Sequence, residues 1–438
     1  MNPIFTLPLV GDIFSYDLWV IATASLVGAL CGVLGCYLLL RRLSMLGDAI
    51  SHAILPGLAG AFLLSGSREL VWMLLGAGVV GVLTGVLTAG LHRVAKIAED
   101  ASMGVVFTTL FALGVLLISF AARNVDLDPG CVLYGLIELT PLDTVSLAGI
   151  ELPRATAALG AAAIVVGVVF AALHKEIKLV AFDPALAAAL GLRPTLVHIV
   201  MVALIAGVSV VSFESVGSIL VVALLVTPAA TAHLLTDRYT RLLILSTLIG
   251  AASGAGGYFL AKRLDTSTAG CVCIVGALFF LSAALCSPRH GVLSRLARQA
   301  ALRLRIGRED ILGMLYRAAE LRDTGLSTQD LRQGVGASTA IALFGLRRSG
   351  LITMHADTWR LTEQGHAQAR QFVGTHRLWE SYLAARLGLP PDHVHAATHR
   401  AEHFIQAGVR EKLAAELRAG QPSESPLTDP HGRAIPGP

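Results

Sequence analysis

His376, Glu380, His395, His399, Glu402 and His403 crowd the C-terminal end of this chain, and each is a nitrogen or oxygen donor suited to a divalent metal. Five of the 14 histidines fall between residues 376 and 403. If the stretch 393–405 is helical, His395, His399, Glu402 and His403 share an arc of about 100°. His376 and Glu380 stand four apart on a preceding helix, and Pro390 and Pro391 separate the two. Two such helices facing each other hold one or two ions through nitrogen and oxygen alone. That donor set suits Mn, Fe(II), Zn or Co and disfavours Cu(I). The competing reading is a solvated, His-rich amphipathic helix.

A second set lies in apolar surroundings, where ionisable groups are costly and each is a functional candidate. Asp48 and His52 are four apart, on one helical face at the head of a hydrophobic run. They read either as a metal-ligand pair or as the polar start of a helix. Glu214 falls in an expected break at 212–215 between two apolar runs, where it lines a path or reaches an interface. His198 and His233 lie near helix ends and read as interfacial. Cys271 and Cys273 read as small residues in an apolar helix rather than as a metal motif.

The elements that must position these groups follow from composition. The 438 residues are 54% hydrophobic and 15% charged, too long and too apolar for one soluble domain. Runs at 18–40, 71–91, 103–122, 155–173, 195–212, 216–235, 242–261 and 268–286 each approach the ~20 residues that span a bilayer. The run 49–64 carries Pro56 and reads as a broken span, giving eight or nine. Beyond residue 290 the chain turns polar and Arg-rich.

A formal charge of +4 is too small to argue for nucleic acid. With nine crossings, Arg41, Arg42, Arg93, Lys96, Lys175, Lys178, Arg193, Arg238 and Arg241 share one side, and Arg68, Arg123, Arg154, Lys262 and Arg263 the other. The richer side is cytoplasmic by the positive-inside rule, and the polar tail lies with it. All 6 cysteines precede residue 290, which fits a reducing compartment for the tail. The N-terminus lacks the basic start of a cleavable signal peptide. Glycines such as Gly28, Gly32 and Gly35 imply closely packed membrane helices. No G-x-x-x-x-G-K-[ST] phosphate loop occurs, so energy for any pumping comes from another subunit or from an ion gradient.

The run "LSMLGDAISHAILPGLAGAFLL" (43–64) resembles the permeases of metal-type ABC importers, which carry zinc, manganese or iron. So do "EDASMGVVFTTLFALGVLLI" from Glu99, "AFDPALAAALGL" from Ala181 and "VGSILVVALLVTPAATAHLLTDR" from Val216, and the likeness spans about 13–291. The resemblance implies a second permease subunit, the same chain or a paralogue, a cytoplasmic ABC ATPase and an extracytoplasmic metal-binding protein. It implies that Asp48 and His52 line the metal path. It also places ATPase docking at "AFDPALAAALGL", through Phe182, Asp183, Pro184, Leu190 and Gly191. "VDLDPGCVLYGLIEL" (125–139) is similar to the manganese/iron branch.

In the tail, 304–321 has helical apolar spacing. "LSTQDLRQGVGASTAIALFGLRRSGLI" reads as two short helices turning at 334–337, and "LITMHADTWRLT" as a strand pair turning at Ala356 and Asp357. Together these make a winged helix. The segment 308–438, through "EDILGMLY", "LTEQGHAQA", "THRLWE", "HAATHRAEH" and "DPHGRAIPGP", resembles the iron- and manganese-dependent repressors of the DtxR/MntR type. That resemblance implies a primary metal site of Asp310, His399, Glu402 and His403, and an ancillary site of His376, Glu380 and His395. Gly313 stands where manganese-type members carry a second acid. The recognition helix "STAIALFGL" (338–346) offers Ser338 and Thr339 and then apolar residues, which argues against base readout.

The expected architecture is an all-α polytopic membrane bundle of eight or nine helices (1–291). A connecting helix (292–307), a winged helix–turn–helix (308–370) and a helical metal-binding and dimerisation domain (371–438) follow. The expected function is the permease subunit of an ATP-driven importer of manganese, iron or zinc, set in the cell (inner) membrane and carrying a cytoplasmic metal sensor. Metal is then substrate and regulator, without an organic cofactor and without catalysis by this chain. The alternative is a membrane-tethered, metal-dependent transcriptional regulator.

Overall fold

The computed structural model describes residues 10–66, 70–121, 137–147, 150–322, 325–388, 398, 407–418 and 428–435. It forms two compact units, Met1–Ser294 and Arg295–Pro438, dividing three residues beyond the expected boundary at 291.

Unit 1 is built from α1 (Val10–Leu40), α2 (Ser44–Ala53), α3 (Leu55–Ser65), α4 (Leu70–Ala95) and α5 (Glu99–Ala121). A 3-10 turn (Ile137–Leu142) and the antiparallel hairpin β1 (Thr144–Leu147) and β2 (Ile150–Pro153) follow. Then come α6 (Arg154–Ala172), α7 (His174–Phe182), α8 (Pro184–Ala189), α9 (Pro194–Val216), α10 (Ser218–Leu235), α11 (Tyr239–Leu264) and α12 (Thr268–Cys286). Among the described residues, 9 helical segments are long and apolar enough to cross a membrane. One of them, Met45–Ser65, is α2 and α3 taken together, with a turn at Ile54 ahead of Pro56. Proline removes an N–H and fixes φ, which fits the first turn of the second helix.

Small residues close the bundle. A Cβ added to Gly28 would lie 2.1 Å from the carbonyl oxygen of Gly250, and one added to Gly250 would lie 2.0 Å from that of Gly28. Here α1 and α11 touch backbone to backbone, and Ser246 Oγ donates to the Gly32 carbonyl at 2.7 Å. Dispersion and interhelical hydrogen bonds replace the hydrophobic drive that lipid does not supply.

The expected break at 212–215 is not there. α9 runs through Glu214 to Val216, and the chain turns at Gly217, with φ 80° and ψ 162°. Only glycine adopts that pair readily, whereas Ser and Glu at a membrane helix end do not force a break. After the last span, Arg289 and His290 both bond Asp237 in the 236–238 loop. The Arg289 guanidinium, with His290 beside it, holds the Asp237 carboxyl below the usual carboxylate range.

Unit 2 holds most of α13 (Val292–Arg322), then β3 (Leu326–Ser327), α14 (Thr328–Val335), α15 (Thr339–Arg348), β4 (Ile352–His355), β5 (Thr358–Leu361), α16 (Glu363–Leu387) and α17 (Ala407–Arg418). The sheet order is β3-β5-β4, all antiparallel. The helices and strand pair lie where the sequence expects them, and β3 adds a strand that it does not reveal. Ser327 and Asp330 form a capping box at α14. A 3-10 turn at Gly336–Ser338, with Gly336 at φ 82°, separates α14 from α15. Ala356 and Asp357 both take positive φ, 44° and 69°, as a two-residue hairpin requires. Ile311, Leu315, Leu331, Leu343, Leu346, Ile352 and Trp359 make the core, and Trp359 Nε1 donates to Thr328 Oγ1 at 2.9 Å.

Candidate metal sites

In unit 1, α2 presents Asp48 and His52 one turn apart, as the spacing requires. His52 Nε2 lies 3.5 Å from Asp48 Oδ1, and the side chains are 33% and 38% exposed. The imidazole is held against α5, with its centroid 6.2 Å from that of Phe107 and 5.7 Å from that of Phe111, edge-on to the latter. One nitrogen and one carboxylate oxygen at this separation can both reach a single ion at ~2.0–2.2 Å. The pair supplies part of a coordination sphere and leaves one side open. Among the described residues, no group of three or more His, Cys, Asp or Glu comes together to hold a metal.

Other polar groups in unit 1 are not evident from residue type alone. Ser209, Ser212 and Ser215 recur every third residue on α9, each about 1% exposed or less. None of the three hydroxyls has a hydrogen-bond partner among the described residues. Their period of three was the legible signal. Glu214 lies in the last turn of the same helix, three residues ahead of the turn at Gly217. His198, expected at an interface, is half-buried and bonded through Nδ1 to Tyr37 Oη at 3.1 Å. His233 is exposed near the end of α10. Cys271 and Cys273 are free thiols within α12.

The expected docking stretch folds as α7 and α8. Asp183 caps α8, its Oδ1 accepting from the N–H groups of Ala185 at 3.0 Å and Leu186 at 2.9 Å. Pro184 occupies the first turn, and Gly191 at φ 82° ends the element. Phe182, Leu186 and Leu190 are exposed at 57%, 47% and 65%. Asp183 and Pro184 set the break between Phe182 and Leu186, and Gly191 follows Leu190.

In unit 2, His376 and Glu380 stand together on α16. Nε2 and Oε1 are 3.0 Å apart, and the residues are 3% and 2% exposed. Asp310 lies on α13, half-buried. His395, His399, Glu402 and His403 lie outside the described residues, so three of the seven expected ligands, Asp310, His376 and Glu380, are placed. Gly313 lies on α13, where an added Cβ would meet the Phe372 ring at an ordinary contact distance of 3.4 Å.

Sequence reading missed Arg377. This 4%-exposed residue bonds both Glu320 oxygens on α13 and donates through Nη1 to the Ala434 carbonyl at 2.9 Å. Its Nε lies 3.8 Å from Asp429 Oδ2. Asp429 Oδ1 in turn accepts from the N–H groups of His431 at 3.0 Å and Arg433 at 2.7 Å. The C-terminal segment Thr428–Ala434 is thus clasped to the helix bearing His376 and Glu380.

Residues 362–437 match the iron dependent repressor, metal binding and dimerisation domain. The chain is 43% identical to the manganese transport system membrane protein MntD of Bacillus subtilis, over 65% of this chain and 96% of that protein. It is 34% identical to the zinc transport system membrane protein TroD of Treponema pallidum, over 80% and 98%. The solved structure of PsaBC from Streptococcus pneumoniae in complex with Fab shares the fold at TM-score 0.54 and 28% identity, over 64% of this chain and 98% of that one. Residues 14–287, well over half of the chain, match the ABC 3 transport family, and the chain belongs to that family.

Proposed function

We propose that this chain is the permease subunit of an ATP-driven importer of a divalent transition metal, manganese, iron or zinc, with a metal-sensing tail. The observation that carries the proposal is the Asp48–His52 pair, which puts a nitrogen and an oxygen donor 3.5 Å apart on a membrane helix with one side open. Charge and imidazole at that depth are sustained only where protein or a polar path covers them. A second permease subunit, the same chain or a paralogue, supplies that cover and further ligands. An extracytoplasmic metal-binding protein delivers the ion. A cytoplasmic ATPase docks on Phe182, Leu186 and Leu190 and hydrolyses the ATP. Glu214 and the α9 hydroxyls belong to the polar side of the path. The chain sits in the cell (inner) membrane, its tail in the cytoplasm, where rising metal fills His376 and Glu380 together with Asp310, His395, His399, Glu402 and His403.

The alternative, a membrane-tethered metal-dependent regulator, draws on the match at 362–437. Against it stand Ile341 and Phe344 on the outer face of α15, where base readout wants polar side chains. Uptake of Mn(II), Fe(II) and Zn(II) in cells carrying Asp48→Ala or His52→Ala tests the proposal. Each variant should insert normally and lose uptake; full uptake by a properly inserted variant removes that residue from the path.

A further inference from the structure

The inner face of α15 is formed by Thr339, Ala342, Leu343 and Leu346, all buried. The outer face carries Ile341 at 58% and Phe344 at 67% exposure, with Arg347 and Arg348 exposed at its C-terminal end. Met354, 44% exposed, is a further apolar side chain on β4, and Arg332 is exposed on α14. From Leu331 to Arg360 the chain has four arginines and one acidic residue, Asp357 at the tip of the hairpin. Large exposed side chains grouped on one face of a water-facing domain mark a binding surface. Apolar side chains beside arginine match an anionic bilayer, where the former enter the headgroup boundary and the latter meet phosphate. The chain leaves its last span at Cys286 and unit 2 begins at Arg295, so a bilayer is always at high effective concentration.

We infer that the outer face of α15 and the wing is a docking site for the anionic lipid surface of the membrane in which unit 1 sits. The inference rests on unit 1 being membrane-embedded and goes beyond the transport reading. Docking takes up the face that a winged helix otherwise gives to DNA.

The test is hydrogen exchange of residues 339–355 in the full chain, reconstituted in nanodiscs of phosphatidylcholine alone or with phosphatidylglycerol. Exchange should be slower in the anionic discs at low salt and recover as salt screens the headgroups. Each arginine near an anionic surface contributes about a fivefold factor, so Arg347→Gln/Arg348→Gln should lower the docking equilibrium about 25-fold. Ile341→Glu/Phe344→Glu should abolish the protection, while unchanged exchange at 311–315 and 363–387 shows that unit 2 remains folded. Asp48→Ala should lose metal uptake and keep the protection, which separates this inference from the transport reading. Equal exchange in both disc types overturns the inference. So does retention of duplex DNA by the detergent-solubilised chain that Phe344→Glu removes, since that assigns the face to nucleic acid.

Discussion

Arg377→Met removes the centre of the clasp between α13, α16 and the C-terminal segment. Arg377 is 4% exposed, the Glu320 side chain 36% and the Asp429 side chain 3%. Removing one partner of a buried ion pair typically costs ~3–5 kcal/mol, because the other charge is stranded. Glu320 still reaches water, and Asp429 keeps two backbone N–H donors, at 3.0 Å and 2.7 Å. The cost therefore falls at the lower end, ~3 kcal/mol. A local opening eased by that amount exchanges its amides roughly 100-fold faster. Hydrogen exchange on the full chain in detergent should show this at 428–435 and in the 377–387 half of α16. The triple change Glu320→Gln/Arg377→Met/Asp429→Asn removes all three charges together and should return exchange to within about tenfold of wild type. If the single variant exchanges within threefold of wild type, or the triple variant opens as much as the single, the clasp is not held by charge pairing.

Mn(II), Fe(II) or Zn(II) should protect residues 363–387 from exchange, and the protection should weaken as pH falls through ~6.5, where free imidazole takes a proton and competes with metal. His376→Ala should weaken metal binding at least tenfold, measured by titration of the purified chain. Leu190→Glu should leave the bundle folded, because its side chain is exposed, yet uncouple ATP hydrolysis by the docked ATPase from metal uptake in proteoliposomes. Gly28→Leu should prevent α1 from reaching α11, where even a Cβ would lie 2.1 Å from a carbonyl oxygen, and should be read as lost expression of the intact bundle.

The sequence revealed the bundle because hydrocarbon imposes a one-dimensional rule: about 20 apolar residues per crossing. It revealed the Asp48–His52 pair because four-residue spacing sets a helical face without tertiary information. The β4–β5 hairpin was equally legible, since Ala356 and Asp357 sit between two alternating runs. What failed depends on distance along the chain or on a single backbone angle. The break at 212–215 was drawn from polar residue types, yet α9 passes through them and yields only at Gly217. β3 is two residues long and is defined by pairing with β5, more than thirty residues on, so no local period announces it. The Arg377 clasp joins residues 57 apart on either side and has no motif of its own. Four of the seven expected ligands in the tail lie outside the described residues, so the proposed set rests on spacing and on the 362–437 match.

In unit 2 the residues that the fold requires can be told apart from those it leaves free for use. The buried set of α15, Thr339, Ala342, Leu343 and Leu346, is what packs the helix onto the core with Ile311, Leu331 and Trp359, and it satisfies the architecture by itself. The outer set, Ile341, Phe344, Arg347 and Arg348, makes no demand on folding and records what the helix meets. A metal-binding half joined to a DNA-reading half would couple ion level to gene expression. With the outer set apolar and basic and the chain tethered nine residues beyond its last span, the inferred docking would direct the same coupling at the membrane and the permease within it. A shift of only ~1–3 kcal/mol between two arrangements of the tail changes affinity about 5–150-fold. Under the proposed ligand set, metal would act on both α13, through Asp310, and α16, through His376 and Glu380, the two helices that Arg377 already binds together.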